Sequence, residues 1–255
     1  MADGCVDRCL SIHHSPFAFR YSSMLILAID TALDACAAGI LDTDAGQLIA
    51  QESQAMKRGH AEALMPLIAR VMRQSGLGFA DLDRIAVTAG PGSFTGLRVG
   101  LSAARGLALA AGKPAVGLTT LTAYAAPVVA QNAEPPVISA IDARHGQVYF
   151  QVVRGDGSPL IRPRVAPIEE ALAAARFGAP HLVGNAARIL ADRWPADAPP
   201  PFRIDAEPAP DIAWVAWVGA AVNPETAPAR PFYLRAPDAK LPQNPLPKAA
   251  QPTEP

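Results

Sequence analysis

Short apolar runs separated by Asp, Thr and Gly open the readable part of the chain: LILAID at 25–30, ACAAGIL at 35–41 and QLIAQES at 47–53. Runs of that length with turn-forming separators predict three strands in a meander. From residue 61 the period changes. AEALMPLIARVMRQSG sets Leu64, Leu67, Ile68 and Val71 on one helical stripe, with Pro66 early, where its missing N–H need cost little, and Gly76 as a stop. RIAVTA (84–89) reads as a buried strand, and LRVGLSAARGLALAAG (97–112) as a helix closed by Gly112 and Pro114. AVGL then predicts a short strand and TTLTAYAAPVVAQ a helix.

The same order begins again after AEPP. Strands are predicted at VISAID (137–142), QVYFQVV (147–153) and PLIRPRV, then helix IEEALAAAR, strand HLVG and helix AARILADRW. A β-β-β-α-β-α unit stated twice predicts an α/β fold of two paired domains, each a mixed sheet with helices outside. Beyond Trp194 prolines crowd in, 15 of the 26 in the chain, yet DIAWVAWVGAAV (211–222) still reads as a helix and RPFYLR (230–235) as a terminal strand. The expected organisation is an N-terminal extension at 1–23, a first domain at 24–118, a second at 119–235 with the closing strand, and a disordered Pro-rich tail at 236–255. Because residues 1–23 lack periodicity and Met24 directly precedes LILAID, translation is expected to start at Met24.

Composition narrows the partners. Twenty-two Lys and Arg against 23 Asp and Glu leave a formal charge of -1, so no global attraction to nucleic acid or membrane exists and any RNA contact must be local or made through a partner. No apolar run approaches a membrane span and no secretory signal is evident. The three cysteines, Cys5, Cys9 and Cys36, are too few and scattered for a disulfide framework, which suits a reducing, cytoplasmic setting. Cys5, Cys9, His13 and His14 fit no standard zinc spacing.

The densest glycine run, GPGSFTGLRVG (90–100), follows a strand and enters a helix, where free N–H groups favour an anion. It lacks the Lys-Ser/Thr pair of a P-loop and is one residue longer than the dinucleotide pattern. Gly92, Gly96 and Gly100, with Ala103, Ala104 and Ala111, equally predict a small-residue face for close packing. Asp30, Thr31 and Asp142 lie at strand ends, Asp30 and Asp142 at matching places in the two halves, where carboxylates would face an interdomain cleft. His60 is expected solvated at a helix start and His145 in the turn DARHGQ; no Ser-His-Asp or Cys-His arrangement is supported by spacing. An independent RNA-binding module is disfavoured by the near-zero net charge and the absence of an Arg/Lys-aromatic patch.

LAIDTALDACAAGIL, RGHAEALMPLI, GPGSFTGLRVGLSAARGLALAAGKPAVGLTTL, DARHGQVY and PFYLR together resemble the bacterial TsaB family, also called YeaZ, over about residues 24–235. The resemblance implies the actin-like ATPase fold of sugar kinases, Hsp70 and actin. It also implies a part in forming N6-threonylcarbamoyladenosine beside the anticodon of tRNAs reading ANN codons, as the non-catalytic paralogue of the transferase TsaD. TsaD-like proteins carry two metal-binding His residues in a segment that falls on VGLTTLTAY here, placing Thr120 and Tyr124 at the ligand positions. A hydroxyl and a phenol do not replace imidazole. The nucleotide site looks similarly eroded: HLVGNAAR keeps only Gly184 with Asn185, and Ala32 stands where relatives often have Ser.

The resemblance thus implies no catalytic residues and no cofactor of the chain's own, with ATP and metal on partner subunits. Asp30, Thr31, Gly90 and Gly92 remain as a vestigial nucleotide set. It implies pairing with TsaD through the helices at 61–75 and 96–111, an additional ATPase subunit TsaE, a homodimer when TsaD is absent, and tRNA contact only indirectly through the complex. Leu67 and Val71 are assigned to the core, while Met65, Ile68 and Met72 are expected on an exposed apolar surface flanked by Arg98 and Arg105. The competing class is an active phosphotransferase or metal-dependent transferase of the same superfamily.

Overall fold

The computed structural model describes residues 23–131 and 134–235. The expected N-terminal extension with Cys5, Cys9, His13 and His14, and the expected Pro-rich tail, lie outside them apart from Ser23. Strands β1 (Leu25–Asp30), β2 (Ala35–Asp42) and β3 (Gln47–Ala55) form the antiparallel meander, joined by β4 (Arg84–Gly90) and β5 (Ala115–Thr119) in parallel, in the order β3-β2-β1-β4-β5. The second sheet has strands β6 (Val137–Arg144), β7 (Gln147–Val153), β8 (Pro159–Pro167), β9 (His181–Val183) and β10 (Arg203–Asp205), ordered β10-β9-β6-β7-β8. The two orders are one topology stated twice. This is the duplicated actin-like ATPase fold.

The helices are α1 (His60–Ser75), α2 (Phe94–Ala111), α3 (Thr120–Val129), α4 (Ile168–Leu172), α5 (Ala187–Ala191) and α6 (Ile212–Ala221). Along β1, Leu27 and Ile29 join the core containing Leu64, Leu67, Ile68 and Val71 of α1 and Leu97 and Leu101 of α2, whereas Ile26 and Ala28 face the α6 residues Ile212, Val215 and Ala216. A strand apolar on both sides is what a sheet covered on both faces requires. A second core joins Ile138, Ala140 and Phe150 to α4 and α5.

Several local expectations are corrected. The helix expected over IEEALAAAR splits into α4 and a 3-10 turn at Ala173–Phe177. RPFYLR is not a strand: the free edge of β5 is already taken by residues 227–229, with Gly117 N–H on Ala227 O at 2.9 Å, and Pro231 has no N–H to offer. Phe232 N–H pairs with Ala89 O at 2.8 Å, while Arg230 N–H turns back on Pro228 O at 2.7 Å. Pro66 is the seventh residue of α1, deeper than its spacing suggested. Helix α6, from the segment expected in the second domain, packs on β1, β2 and β4 of the first sheet. Arg84 fixes it there: Nη1 donates to the last-turn carbonyls of Gly219, Ala220 and Val222 at 2.8, 3.0 and 2.8 Å. No helix among the described residues is long and apolar enough to cross a membrane.

Candidate functional site

The end of β1 and the glycine loop are locked together. Thr31 Oγ1 donates to Gly96 O at 2.7 Å, and Ser93 N–H donates to Ala32 O at 2.7 Å. A Cβ on Gly92 would run into the carbonyl of Ala32, one on Gly96 into the carbonyl of Thr31, and one on Gly100 into the Thr31 hydroxyl. The four-residue glycine repeat is therefore a close-packing face against Thr31 and Ala32. Gly90, at φ 114°, turns the chain under Phe232. Three of the N–H donors here are spent internally: Ser93 N–H on Ala32 O (2.7 Å), Gly96 N–H on Ser93 Oγ (3.3 Å) and Leu97 N–H on Ser93 O (2.9 Å).

The second half repeats the device. Gly184, at φ 101°, lies where a Cβ would strike Ala140 O, and Asn185 Oδ1 accepts the N–H of Asp142 at 2.9 Å.

Asp30 and Asp142 occupy matching strands but unlike environments, so the expectation that both carboxylates face the cleft is corrected. Asp142 is exposed and lines the cleft. Asp30 is fully buried: Oδ1 accepts from Ala32 N–H (3.1 Å) and the Thr88 hydroxyl, while Oδ2 has no partner. Burial raises its pKa above the ordinary carboxylate value, opposed by those hydrogen bonds. The folded state then holds a proton that the unfolded chain releases, so stability contributed at low pH is lost as pH rises from the ordinary Asp pKa through the raised one. Asp30→Asn keeps an acceptor without the charge and is expected to abolish that loss. Urea unfolding of both proteins at pH 4 to 8 should show the wild type falling behind the variant as pH rises; parallel profiles would refute this.

Thr120 and Tyr124 do not suit a metal ion. Thr120 Oγ1 is buried and unpartnered but neutral. Tyr124 donates its hydroxyl proton to Glu207 O at 2.9 Å, and burial raises its pKa, which keeps the phenol protonated and unable to act as an anionic ligand. His60 is not solvated as expected: Gly59, at φ 87°, swings it under the β1–β2 turn, where Nε2 lies 3.1 Å from Leu33 O. His145 does sit in the β6–β7 turn, at φ 52°. The described residues contain no cluster of three His, Cys, Asp or Glu able to hold a metal.

On α1, Leu67 and Val71 are in the core, but the exposure expected of Ile68 and Met72 is corrected: they are 0% and 5% exposed, because Leu64, Ile68, Val71 and Met72 continue one apolar stripe over the sheet. Met65 alone of the three reaches solvent, at 46%. On α2, Arg98, Ser102, Arg105 and Leu109 form an exposed stripe, with Leu109 86% exposed. Leu109 was missed because its neighbours Leu101 and Leu107 read as one apolar continuum.

Between the sheets lies a cleft of about 640 Å³, lined by residues including Asp34, Ser93, Phe94, Asp142, Arg144, Tyr149, Asn185 and Tyr233. Phe94 and Tyr233 were also missed; nothing short of the fold brings them together.

The comparisons with known proteins agree with this architecture. The family model described as TsaD, tRNA N6-adenosine threonylcarbamoyltransferase, matches residues 47–196. The tRNA threonylcarbamoyladenosine biosynthesis protein TsaB of Escherichia coli is 36% identical over 133 residues, covering 52% of this chain and 56% of that protein. TsaB of Haemophilus influenzae is 39% identical over 133 residues, 52% of this chain and 55% of that protein. The chain thus spans little more than half the length of these curated relatives. An uncharacterized protein of Mycobacterium tuberculosis is 33% identical over 224 residues, 87% of this chain and 96% of that one. YeaZ from Pseudomonas aeruginosa superposes with a TM-score of 0.68 at 27% identity, covering 83% of this chain and 100% of that structure.

Proposed function

This chain belongs to the TsaB (YeaZ) family, and from that membership we propose that it serves N6-threonylcarbamoyladenosine synthesis in tRNAs reading ANN codons as a non-catalytic subunit, by pairing with the transferase TsaD. One observation supports the non-catalytic part: the metal-ligand positions hold two hydroxyls, one orphaned and one bonded to a carbonyl. ATP and metal chemistry then belong to the partners, with TsaE as the ATPase. What this chain contributes is surface: Met65 on α1 and Leu109 on α2, with Arg105 beside it, in the helices assigned to pairing. The same surface would make a homodimer when TsaD is absent.

Isolated protein incubated with Mg-ATP is expected to release no phosphate and to show little thermal shift, while co-expressed TsaD is retained through a tag on this chain. Steady ATP turnover by the isolated chain, or a large Mg-ATP stabilisation, would favour the phosphotransferase reading instead.

A further inference from the structure

The fold gathers at the cleft mouth a set of residues that the linear sequence scatters. Phe94, the first residue of α2, faces Tyr233, with ring centroids 5.5 Å apart and planes tilted by 33°. The Arg98 guanidinium lies 3.8 Å over the Phe94 ring. The two rings stay 37% and 43% exposed, a cost that internal packing does not explain. Across the cleft stand Tyr149 and Arg144. Arg144 and His145 both take positive φ, 63° and 52°, in a hairpin turn that would accept Asn-Gly without strain.

We propose that this cleft mouth is a docking site for single-stranded RNA. Tyr233 and Phe94 form a platform on which an unpaired base stacks, Arg98 backs the Phe94 ring, and Arg144 in the cleft lining meets a flanking phosphate. Base stacking on aromatic rings next to a few cations is how loops with splayed-out bases are held. Two features select this ligand class. A cavity of about 640 Å³ admits a nucleotide but no duplex. A formal charge of -1, with Asp34 and Asp142 in the lining, excludes a surface tracking many phosphates, so stacking dominates. The inference rests on the tRNA reading above and makes this chain's tRNA contact direct rather than only through its partner.

The test uses the full chain and a fluorescein-labelled RNA hairpin with a loop of about seven nucleotides, against a fully paired duplex of equal length, by anisotropy at low salt. The hairpin is expected to bind at least about tenfold more tightly than the duplex. Tyr233→Ala should weaken hairpin binding by roughly five- to a hundredfold, and Tyr233→Phe should restore it. Arg144→Gln should lower the salt slope by about one, a second readout that leaves the aromatic pair in place. Equal affinity for duplex and hairpin, undiminished binding by Tyr233→Ala, absence of wild-type binding at 200 µM RNA, or displacement of the hairpin by equimolar AMP would each overturn the proposal. Co-purification of TsaD with the wild-type chain separates the two readings: pairing retained by a wild-type chain that does not bind the hairpin sinks this inference alone.

Discussion

Gly96→Ala is expected to destabilise the protein by about 3 kcal/mol, a large fraction of the roughly 5–15 kcal/mol that holds an ordinary domain folded. The added methyl meets the carbonyl of Thr31, a backbone atom at the end of a central strand, and neither side can swing away as a flexible side chain would. Retreat of α2 would also stretch the bond from Thr31 Oγ1 to Gly96 O and that from Ser93 N–H to Ala32 O. The same helix supplies the control. Gly106 is exposed with open space where its Cβ would stand, so Gly106→Ala should stabilise by about 0.5–1 kcal/mol through helix propensity alone. Urea denaturation of the two variants distinguishes them; similar losses at both positions would refute the clamp between β1 and the glycine loop.

Leu109→Asp and Met65→Asp are expected to abolish capture of TsaD while leaving the monomer folded. Both side chains are exposed in the free chain, and surface changes ordinarily move stability by no more than about 0.5 kcal/mol. If their burial anchors an interface, removing either costs about 2 kcal/mol or more of binding, roughly thirtyfold in affinity. Ile68→Asp has a different outcome: it places a charge at a position with 0% exposure and should unfold the first domain, so loss of pairing there says nothing about the interface. Pull-down paired with circular dichroism checks all three. Full capture of TsaD by a folded Leu109→Asp, Met65→Asp double variant would place the pairing surface elsewhere.

The duplication was legible because strand and helix periods repeat in the same order in both halves, and such periods depend only on which side of each element is covered. The packing role of Gly92, Gly96 and Gly100 was legible for the same reason: a four-residue spacing is a helix face. Ile68 and Met72 were misplaced because a stripe of Leu64, Leu67, Ile68, Val71 and Met72 does not show how wide a face the sheet will cover. The environment of Asp30 was not readable either, since burial of one strand-end carboxylate and exposure of its counterpart depend on Thr88 and on what closes over each strand. The cleft's aromatic pair joins residue 94 to residue 233 across nearly the whole chain. Proximity of that kind belongs to tertiary structure, which no local pattern carries.

The most direct measurement of the central claim is formation of N6-threonylcarbamoyladenosine on tRNA by purified TsaD, TsaE and threonylcarbamoyl-adenylate, with and without this chain. Modification is expected only when the chain is present and able to pair, with none from the chain without TsaD. Equal modification in its absence, or product made by this chain alone, would contradict it.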